Sequence, residues 1–300
     1  MSAAAHRAGL WFGLAAYAMW GLFPLYFVRL RALPATEVLA HRIVWSLIFL
    51  LGLILVLRSG RTLLDAWRDR RTRLGLSASA VLIAVNWLTY IYAVTHEQTL
   101  QASLGYFITP LVNVACGVLI LGERLRPLQW ASIAIAGLGV ANDAALAPTF
   151  PWLALALATT FGMYGLMRKL VPVEAIAGLA IETSVLFPAA LAYLAWMHGQ
   201  GTTAFGTTTE ATTLLVLSGP LTALPLLCFA AAARRLPLAV VGVLQFLAPS
   251  IQFVVAVGPM GEPFGLAKGI SFGLIWLAVA LFAWDARRHL RSKTPPLDIG

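Results

Sequence analysis

An acidic residue inside a long apolar segment is the group of this 300-residue chain best placed to carry a proton. Glu182 follows Ala180 and Ile181 and precedes Val185 and Leu186. If this segment spans a membrane, a charge at its centre costs about 2.5–3.5 kcal/mol, so the side chain must face protein or water. We therefore predict that Glu182 either lines a cavity, as the candidate carrier for proton coupling, or makes a structural hydrogen bond or ion pair.

Two basic residues, His41 and Arg42, lie near the start of another apolar segment, residues 38–57. The long Arg42 side chain can either reach the membrane interface or face a cavity. The shorter His41 side chain can either form a hydrogen bond within a helix contact or face the same cavity. Both residues are therefore candidates for contact with a solute.

Aromatic and amide side chains recur within the other apolar segments. An apolar cavity with a few convergent polar groups is the usual form of a small-molecule site, and it suits an amphipathic or aromatic solute. Helix packing is the alternative role for each residue taken singly. With His41, Arg42 and Glu182, the predicted substrate-binding residues are Trp20, Trp45, Asn86, Trp87, Tyr90, Tyr106 and Gln245.

No sequence motif marks a metal site or a nucleotide site. The chain contains no His-Glu-x-x-His and no phosphate-binding loop, and its one Gly-x-Ser-x-Gly spacing, Gly269 to Gly273, lies within the last apolar segment. The two cysteines, Cys116 and Cys228, both fall within apolar segments, where packing is their expected role. We expect no catalytic residue, no metal and no cofactor.

The composition indicates the class of protein that must position these side chains. Hydrophobic residues make up 60% of the chain and charged residues 11%, which excludes a soluble domain. Apolar runs near the bilayer-spanning length of about 20 residues recur throughout, and in lipid each must be helical. We predict an all-α polytopic membrane protein with ten transmembrane helices, at about residues 9–28, 38–57, 74–94, 100–121, 128–146, 151–168, 175–197, 212–233, 237–258 and 264–284.

Basic residues fix the predicted orientation of these helices. The chain has 21 Lys and Arg against 12 Asp and Glu, and the densest basic run lies between Arg58 and Arg73. With the N-terminus inside, most of this charge falls in inner loops and tails, while Arg29 and Arg31 lie outside. This asymmetry predicts cytoplasmic N- and C-termini. It favours contact with the acidic inner leaflet over nucleic-acid binding, and Asp65 and Asp69 interleave with the arginines as on a short surface helix.

An internal repeat divides the chain into two halves. Pro110 and the pair Gly122-Glu123, thirteen residues further on, reappear 139 residues later as Pro249 and Gly261-Glu262. An odd number of crossings separates the copies, so the second must be inverted. We predict two inverted five-helix repeats, residues 1–146 and 147–286, followed by a cytoplasmic tail, residues 287–300.

The repeat also supplies candidate moving parts. Pro110 and Pro249 each remove a backbone hydrogen bond near the middle of equivalent helices, and matched kinks there would let the halves rock. A purely structural role is the alternative. His41 or Arg42 falls opposite Glu182 between the halves, but at a different depth, so a pairing in only one access state is a hypothesis.

These patterns resemble the EamA family of the drug/metabolite transporter superfamily. Each half has the proline and Gly-Glu pattern, the first half continues with Gly137 and Gly139, and the segment His41-Arg42-x-x-Trp45-Ser46 adds specificity. Pro263 departs from the pattern, because the first half has a basic residue at the equivalent position. The resemblance implies an inner-membrane transporter of ten helices, similar to permeases linked to chloramphenicol sensitivity, in a family whose members export amino acids, metabolites and drugs.

The sequence thus favours a secondary transporter that exports small amphipathic metabolites or drugs by alternating access, since inverted repeats are typical of such proteins. Chloramphenicol and amino-acid-like solutes are the candidate substrates that the resemblance implies. The expected partners are that solute and the lipid bilayer, with no nucleic acid, and the protein is expected to be a monomer or a homodimer. A receptor or scaffold without transport is the alternative, and an intramembrane enzyme is the least favoured.

Overall fold

Long apolar segments of the chain form helices, as the lack of hydrogen-bond partners in lipid requires. The computed structural model describes residues 3–120, 125–146, 150–171, 173–233, 235–236 and 244–292. Within these ranges the helices are α1 (Ala3–Phe27), α2 (Ala35–Val56), α3 (Gly60–Arg68), α4 (Arg70–Thr95), α5 (Thr99–Leu119), α6 (Pro127–Leu146), α7 (Trp152–Leu170), α8 (Ala175–Gly199), α9 (Thr209–Ala233), α10 (Leu247–Val257) and α11 (Leu266–Ser292).

Six of the described helices are long and apolar enough to cross a membrane: α1 with the turn that follows it, α2, α4, α8, the greater part of α9, and α11. The protein is therefore an all-α, multi-pass membrane protein. Every predicted span coincides at least partly with a helix, and the number of ten spans stays a prediction. Parts of the sequence interpretation lie outside the described residues, namely 237–243 of the ninth span, Gly122-Glu123, the side chain of Pro110 and residues 293–300 of the tail.

The basic run between α2 and α4 contains a short surface helix, α3, none of whose residues is buried. This confirms the surface helix that the alternating charges predict. Asp69 ends α3 and caps α4 by accepting a 2.9 Å hydrogen bond from the backbone N–H of Thr72. Hydrogen bonding to Thr72 also lowers the pKa of the Asp69 carboxyl group. The carboxylate therefore satisfies a backbone donor that the first turn of α4 would otherwise leave free.

Most helix pairs in the described part of the chain join the first predicted half to the second. Helix α1 packs on α9 and α10, α2 on α8 and α9, α4 on α7 and α8, α5 on α7 and α10, and α6 on α11. Exchanging α1, α2, α4, α5 and α6 with α7 to α11 in order converts this set of pairs into itself. A two-fold relation between the halves would produce such a pattern.

Two glycine contacts lie at positions that the two-fold relation between the halves would exchange. A Cβ atom built on Gly21 of α1 would lie 2.6 Å from Cβ of Ile251 in α10. A Cβ atom built on Gly162 of α7 would lie 2.6 Å from Cγ1 of Val112 in α5. Ile251 and Val112 are 139 positions apart, the spacing that relates Pro249 to Pro110. Both glycines therefore allow close helix approach at corresponding places.

The buried core near α2 consists of two apolar clusters that meet at one side chain. One cluster contains Phe23 and Phe27 of α1, and the other contains Trp87 of α4. All three rings lie within 6 Å of the guanidinium carbon of Arg42. A charged residue of α2 thus joins the two apolar clusters.

Close packing of α2 on α9 depends on Gly219, and we predict that Gly219→Ala destabilises the protein. An added Cβ atom would overlap the backbone carbonyl group of Trp45, so α2 or α9 must shift. The expected loss is about 1–3 kcal/mol, the usual range for overpacking, seen as a lower unfolding temperature in detergent. Gly273→Ala in α11 is the control, because nothing lies within 4 Å of its added Cβ. Equal unfolding temperatures for the two variants would contradict the prediction.

Candidate functional site

The guanidinium group of Arg42 is the centre of the candidate site, and the side chain is only 4% exposed. Its Nε donates a 2.7 Å hydrogen bond to Oγ1 of Thr222 in α9. The guanidinium carbon lies 4.2 Å from the ring centroid of Trp87, 5.5 Å from that of Phe27 and 5.8 Å from that of Phe23. Cation–π attraction to three rings partly replaces the lost hydration. Arg42 therefore faces the protein interior and does not reach the interface.

Local sequence explains how this cluster forms. Phe23 and Phe27 are four residues apart, so they lie on one face of α1. Gly219 allows α9 to approach α2, and Thr222 lies on the same face of α9 one turn later. We call Arg42 and its four contacting side chains, Phe23, Phe27, Trp87 and Thr222, the arginine cluster.

One nitrogen of Arg42, Nη1, is buried and has no hydrogen-bond partner among the described residues. The hydroxyl of Tyr90 is likewise buried without a partner, and its ring lies 5.8 Å from the ring of Phe27. Tyr26, Tyr90 and Tyr106 all lie within electrostatic range of the guanidinium group. The arginine cluster and the neighbouring Tyr90 thus hold one unused donor each beside aromatic surfaces, an arrangement suited to binding a polar group of a solute.

Asn86 joins three helices next to this cluster. Its Nδ2 donates to the backbone oxygen of Leu157 at 3.1 Å and to Oγ1 of Thr160 at 3.0 Å. Its Oδ1 accepts a 3.2 Å hydrogen bond from the hydroxyl of Tyr106 in α5. Because these bonds occupy Asn86, its position in the structure is a helix contact that also fixes the Tyr106 ring.

Glu182 occupies a separate, fully buried cluster between α4, α7 and α8. Its carboxylate accepts hydrogen bonds from Oγ of Ser79 at 2.5 Å and from the hydroxyl of Tyr164 at 3.2 Å. Nη1 of Arg168 lies 3.5 Å from the same carboxylate, and Gly178 leaves room for that guanidinium group. We call Glu182, Ser79, Tyr164 and Arg168 the carboxylate cluster. It contains both a charge partner for the carboxylate and two hydroxyl groups that donate hydrogen bonds to it.

The two clusters lie at different depths, as the sequence predicts. Ser79 and Trp87 are eight residues apart on α4, which corresponds to about 12 Å along a helix that rises 1.5 Å per residue. Glu182 and Arg42 contact these two positions respectively and form no direct ion pair in this state. The sequence does not predict Arg168 as the charge partner of Glu182. Because Arg168 lies near a helix end, its position groups it with the basic residues of the inner loops.

His41 and Trp45 contact the loop between α8 and α9 rather than the arginine cluster. The His41 ring stacks on Phe205 with centroids 4.9 Å apart, and the Trp45 ring lies 6.2 Å from Phe205. Glu37 holds this loop by accepting hydrogen bonds from the backbone N–H of Ala204 and from Oγ1 of Thr203. Both ring nitrogens of His41 are buried without a partner in the described part of the chain.

The remaining predicted residues are distributed around α1 and α10. Trp20 packs on Tyr17 and Phe229, and its backbone oxygen accepts a 3.1 Å hydrogen bond from Nε2 of Gln252. The backbone oxygen of Pro249 accepts a 2.8 Å hydrogen bond from Oγ of Ser103. Gln245 is half-buried just before α10, and none of the described hydrogen bonds links it to the other candidates.

The sequence points to Arg42, Trp87, Asn86 and Glu182 as candidates but not to the residues that the structure places around them. Phe23 and Phe27 carried a signal, since an i, i+4 pair of rings on one helix face is visible in the sequence. Thr222 carried none, because only the packing of α9 on α2 brings its hydroxyl to Arg42.

Several known proteins are similar in sequence to this chain over nearly its full length, and a family model matches its first half. The EamA-like transporter family matches residues 7–142. An uncharacterized transporter of Pseudomonas aeruginosa is 46% identical over 302 residues, covering 99% of this chain and 100% of its own. Protein RarD of Escherichia coli K12 is 41% identical over 287 residues, covering 95% and 97%, and the chloramphenicol-sensitive protein RarD of Pseudomonas aeruginosa is 35% identical over 289 residues, covering 95% and 96%.

One solved crystal structure has the same fold. It superimposes with a TM-score of 0.63 and covers 94% of this chain and 97% of its own, at 21% identity. That identity supports similarity of fold alone.

A double-mutant cycle on the carboxylate cluster measures the pairing of Glu182 with Arg168. We expect Arg168→Met and Glu182→Gln to be coupled by on the order of 1–3 kcal/mol in unfolding free energy, because either single change leaves a buried partner unpaired. Thermal unfolding in detergent is the measurement. The control is the exposed pair Arg29–Glu210, whose side chains are 65% and 64% exposed and whose coupling should stay below about 1 kcal/mol. Additive effects at Glu182 and Arg168 would show that the pair makes no energetic contribution.

Proposed function

The chain belongs to the EamA-like transporter family, and we propose that it is a secondary transporter of the bacterial inner membrane that exports small amphipathic metabolites or drugs by alternating access. Membership confirms the resemblance that the sequence motifs indicate. The protein is a membrane transporter of the drug/metabolite transporter superfamily, and the names of its relatives point to transport rather than to an enzyme. The proposal adds the mechanism, the class of solute and cytoplasmic termini.

The observation that carries this proposal is that each of Arg42, Asn86 and Glu182 makes a hydrogen bond that crosses between the two halves. Arg42 bonds to Thr222, Asn86 to Thr160, and Glu182 to Ser79. Each bond joins a residue of 1–146 to a residue of 147–286. A site at the seam of two repeats can be exposed to either face when one half rocks against the other. The exchange symmetry of the helix pairs supports the same arrangement.

A contact between the start of α5 and the segment after α10 suggests that the protein is closed at one face of the membrane. The Glu262 carboxylate accepts hydrogen bonds from the backbone N–H of Thr99 at 2.6 Å and of Leu100 at 2.8 Å. It therefore caps the N-terminus of α5 from the other half of the chain. We infer that this cap closes the face opposite the basic loop and must separate when that face opens.

The solute class follows from the walls of the arginine cluster and from the relatives. Three aromatic rings surround a polar centre, as expected for an amphipathic solute. One relative is named for chloramphenicol sensitivity. Chloramphenicol and amino-acid-like solutes are therefore the first substrates to test, with a receptor or scaffold as the alternative function.

If Glu182 carries the coupled proton, transport by the Glu182→Gln variant should no longer be stimulated by a pH gradient. In proteoliposomes, a pH gradient should drive uptake of chloramphenicol by the wild-type protein, because a buried carboxyl group can carry the proton. Glu182→Gln should lose the stimulation by the gradient and keep downhill exchange. Glu210→Gln, at an exposed position, is the control. Gradient-driven uptake that persists in Glu182→Gln would overturn the proton-carrier role, and absence of flux for every tested solute would favour the receptor.

If the Glu262 cap holds this face closed, removing the cap should speed the labelling of a cysteine placed beside it. In a background with Cys116→Ser and Cys228→Ser, a cysteine replacing Gln101 should react roughly fivefold faster with a maleimide when Glu262 is changed to Ala. The estimate follows from about 1 kcal/mol for loss of a helix cap. Labelling in detergent removes any dependence on orientation. Glu97→Ala, an exposed neighbour, is the control, and unchanged labelling in Glu262→Ala would exclude the cap as a closing contact.

A further inference from the structure

The charge of Arg42 is not neutralised by any described residue of the chain. Arg126 pairs with Asp285 at 2.5 Å, and Arg168 pairs with Glu182 at 3.5 Å. Arg42 is more deeply buried than either, yet its described contacts are one hydroxyl group and aromatic rings. A guanidinium group stays charged under all ordinary conditions, and a buried charge without a counter-ion is unfavourable.

The buried carboxylates Glu37 and Glu182 form no ion pair with Arg42. Glu37, on the same helix, accepts hydrogen bonds through Oε1 from the loop that contains Ala204, and its Oε2 is buried without a partner in the described part of the chain. Glu182 is held about 12 Å away along α4 by Ser79 and Arg168. Nη1 of Arg42 and the hydroxyl of Tyr90 are thus left without a partner among the described residues, and both side chains lie within 6 Å of the Phe27 ring.

We propose, building on the transport function above, that the solute carries a carboxylate group that binds Arg42, with an apolar or aromatic part beside it. The carboxylate supplies the missing counter-ion to Nη1, and the hydroxyl of Tyr90 is the second donor. Trp87, Phe23 and Phe27 form the apolar wall. Charge-assisted hydrogen bonds in a dry site are strong, so the carboxylate is selected over a neutral group of the same shape.

The same arrangement works against cationic solutes. A cation would enter beside a guanidinium group that already lacks a counter-ion, and like charges at close range in a low-dielectric site repel strongly. Rejection of the wrong charge is a common source of specificity. Aromatic rings alone would attract a cation, so Arg42 converts an aromatic surface that favours cations into one that favours anions.

The test compares carboxylates with their neutral amides. Purified full-length protein in detergent is titrated with 3-phenylpropionate and indole-3-acetate, and with 3-phenylpropionamide and indole-3-acetamide, by calorimetry. We expect the wild type to bind at least one carboxylate tenfold or more tighter than its amide. Arg42→Gln should abolish that preference, and Arg42→Lys should retain part of it. Arg29→Gln, which removes an exposed arginine, should leave the preference unchanged.

A measurement on the wild type covers the case in which Arg42 variants do not fold. Phenylglyoxal modifies arginine side chains, and mass spectrometry reports the rate at each residue. We expect 3-phenylpropionate to slow modification of Arg42 severalfold while 3-phenylpropionamide does not, with Arg29 unaffected by either. Equal protection by acid and amide, or no binding of either carboxylate, would overturn the proposal.

Flux measurements separate this inference from the transport function. Arg42-dependent binding of 3-phenylpropionate without flux in proteoliposomes would support the carboxylate site and contradict the transporter. Flux of chloramphenicol that is equal in the wild type and Arg42→Gln, with no preference for carboxylates, would support the transporter and overturn the inference.

Discussion

Polar groups in the membrane-spanning segments of a protein have no lipid partner for hydrogen bonds, and the need for partners within the protein shapes the whole molecule. Backbone groups satisfy it by forming helices. Side chains satisfy it by joining helices, and here at least one hydrogen bond of each central polar residue joins opposite halves of the chain. Asn86 reaches α7, Glu182 reaches α4, and Arg42 reaches α9. The polar residues thus determine which helices are neighbours, while glycines such as Gly219 determine how closely they approach.

Arg42 and Glu182 satisfy the requirement in different ways. Glu182 has a cation and two hydroxyl groups beside it, so its negative charge is paired within the protein. Arg42 has three rings and one hydroxyl group, so its cluster is complete except for a negative charge. Of these two buried charges, only the guanidinium group of Arg42 lacks an opposite charge among the described residues. This difference is consistent with separate roles for the arginine cluster and the carboxylate cluster.

The sequence alone predicts the class of fold, the approximate helices and most of the central residues, because hydropathy and rare polar positions are local properties. It places Arg42 and Glu182 at different depths for the same reason. The partner of Glu182 could not be predicted, since Arg168 is near a helix end and resembles the other basic residues of the loops. Nor could the contact of Phe205 with His41, which depends on how the loop between α8 and α9 folds back over α2. Such contacts are set by tertiary packing.

The rings around Arg42 all come from the N-terminal part of the chain, which affects how Arg42 enters the membrane during synthesis. Phe23, Phe27 and Trp87 all belong to the first 90 residues, whereas Thr222 is made 135 residues after Trp87. At about 5–20 residues per second, that interval lasts roughly 10 s. The guanidinium group can therefore be sheltered by aromatic rings as soon as α4 is inserted, well before its hydrogen-bond acceptor emerges from the ribosome. The order of synthesis thus allows cation–π attraction to stabilise the charge before the second half of the chain is made.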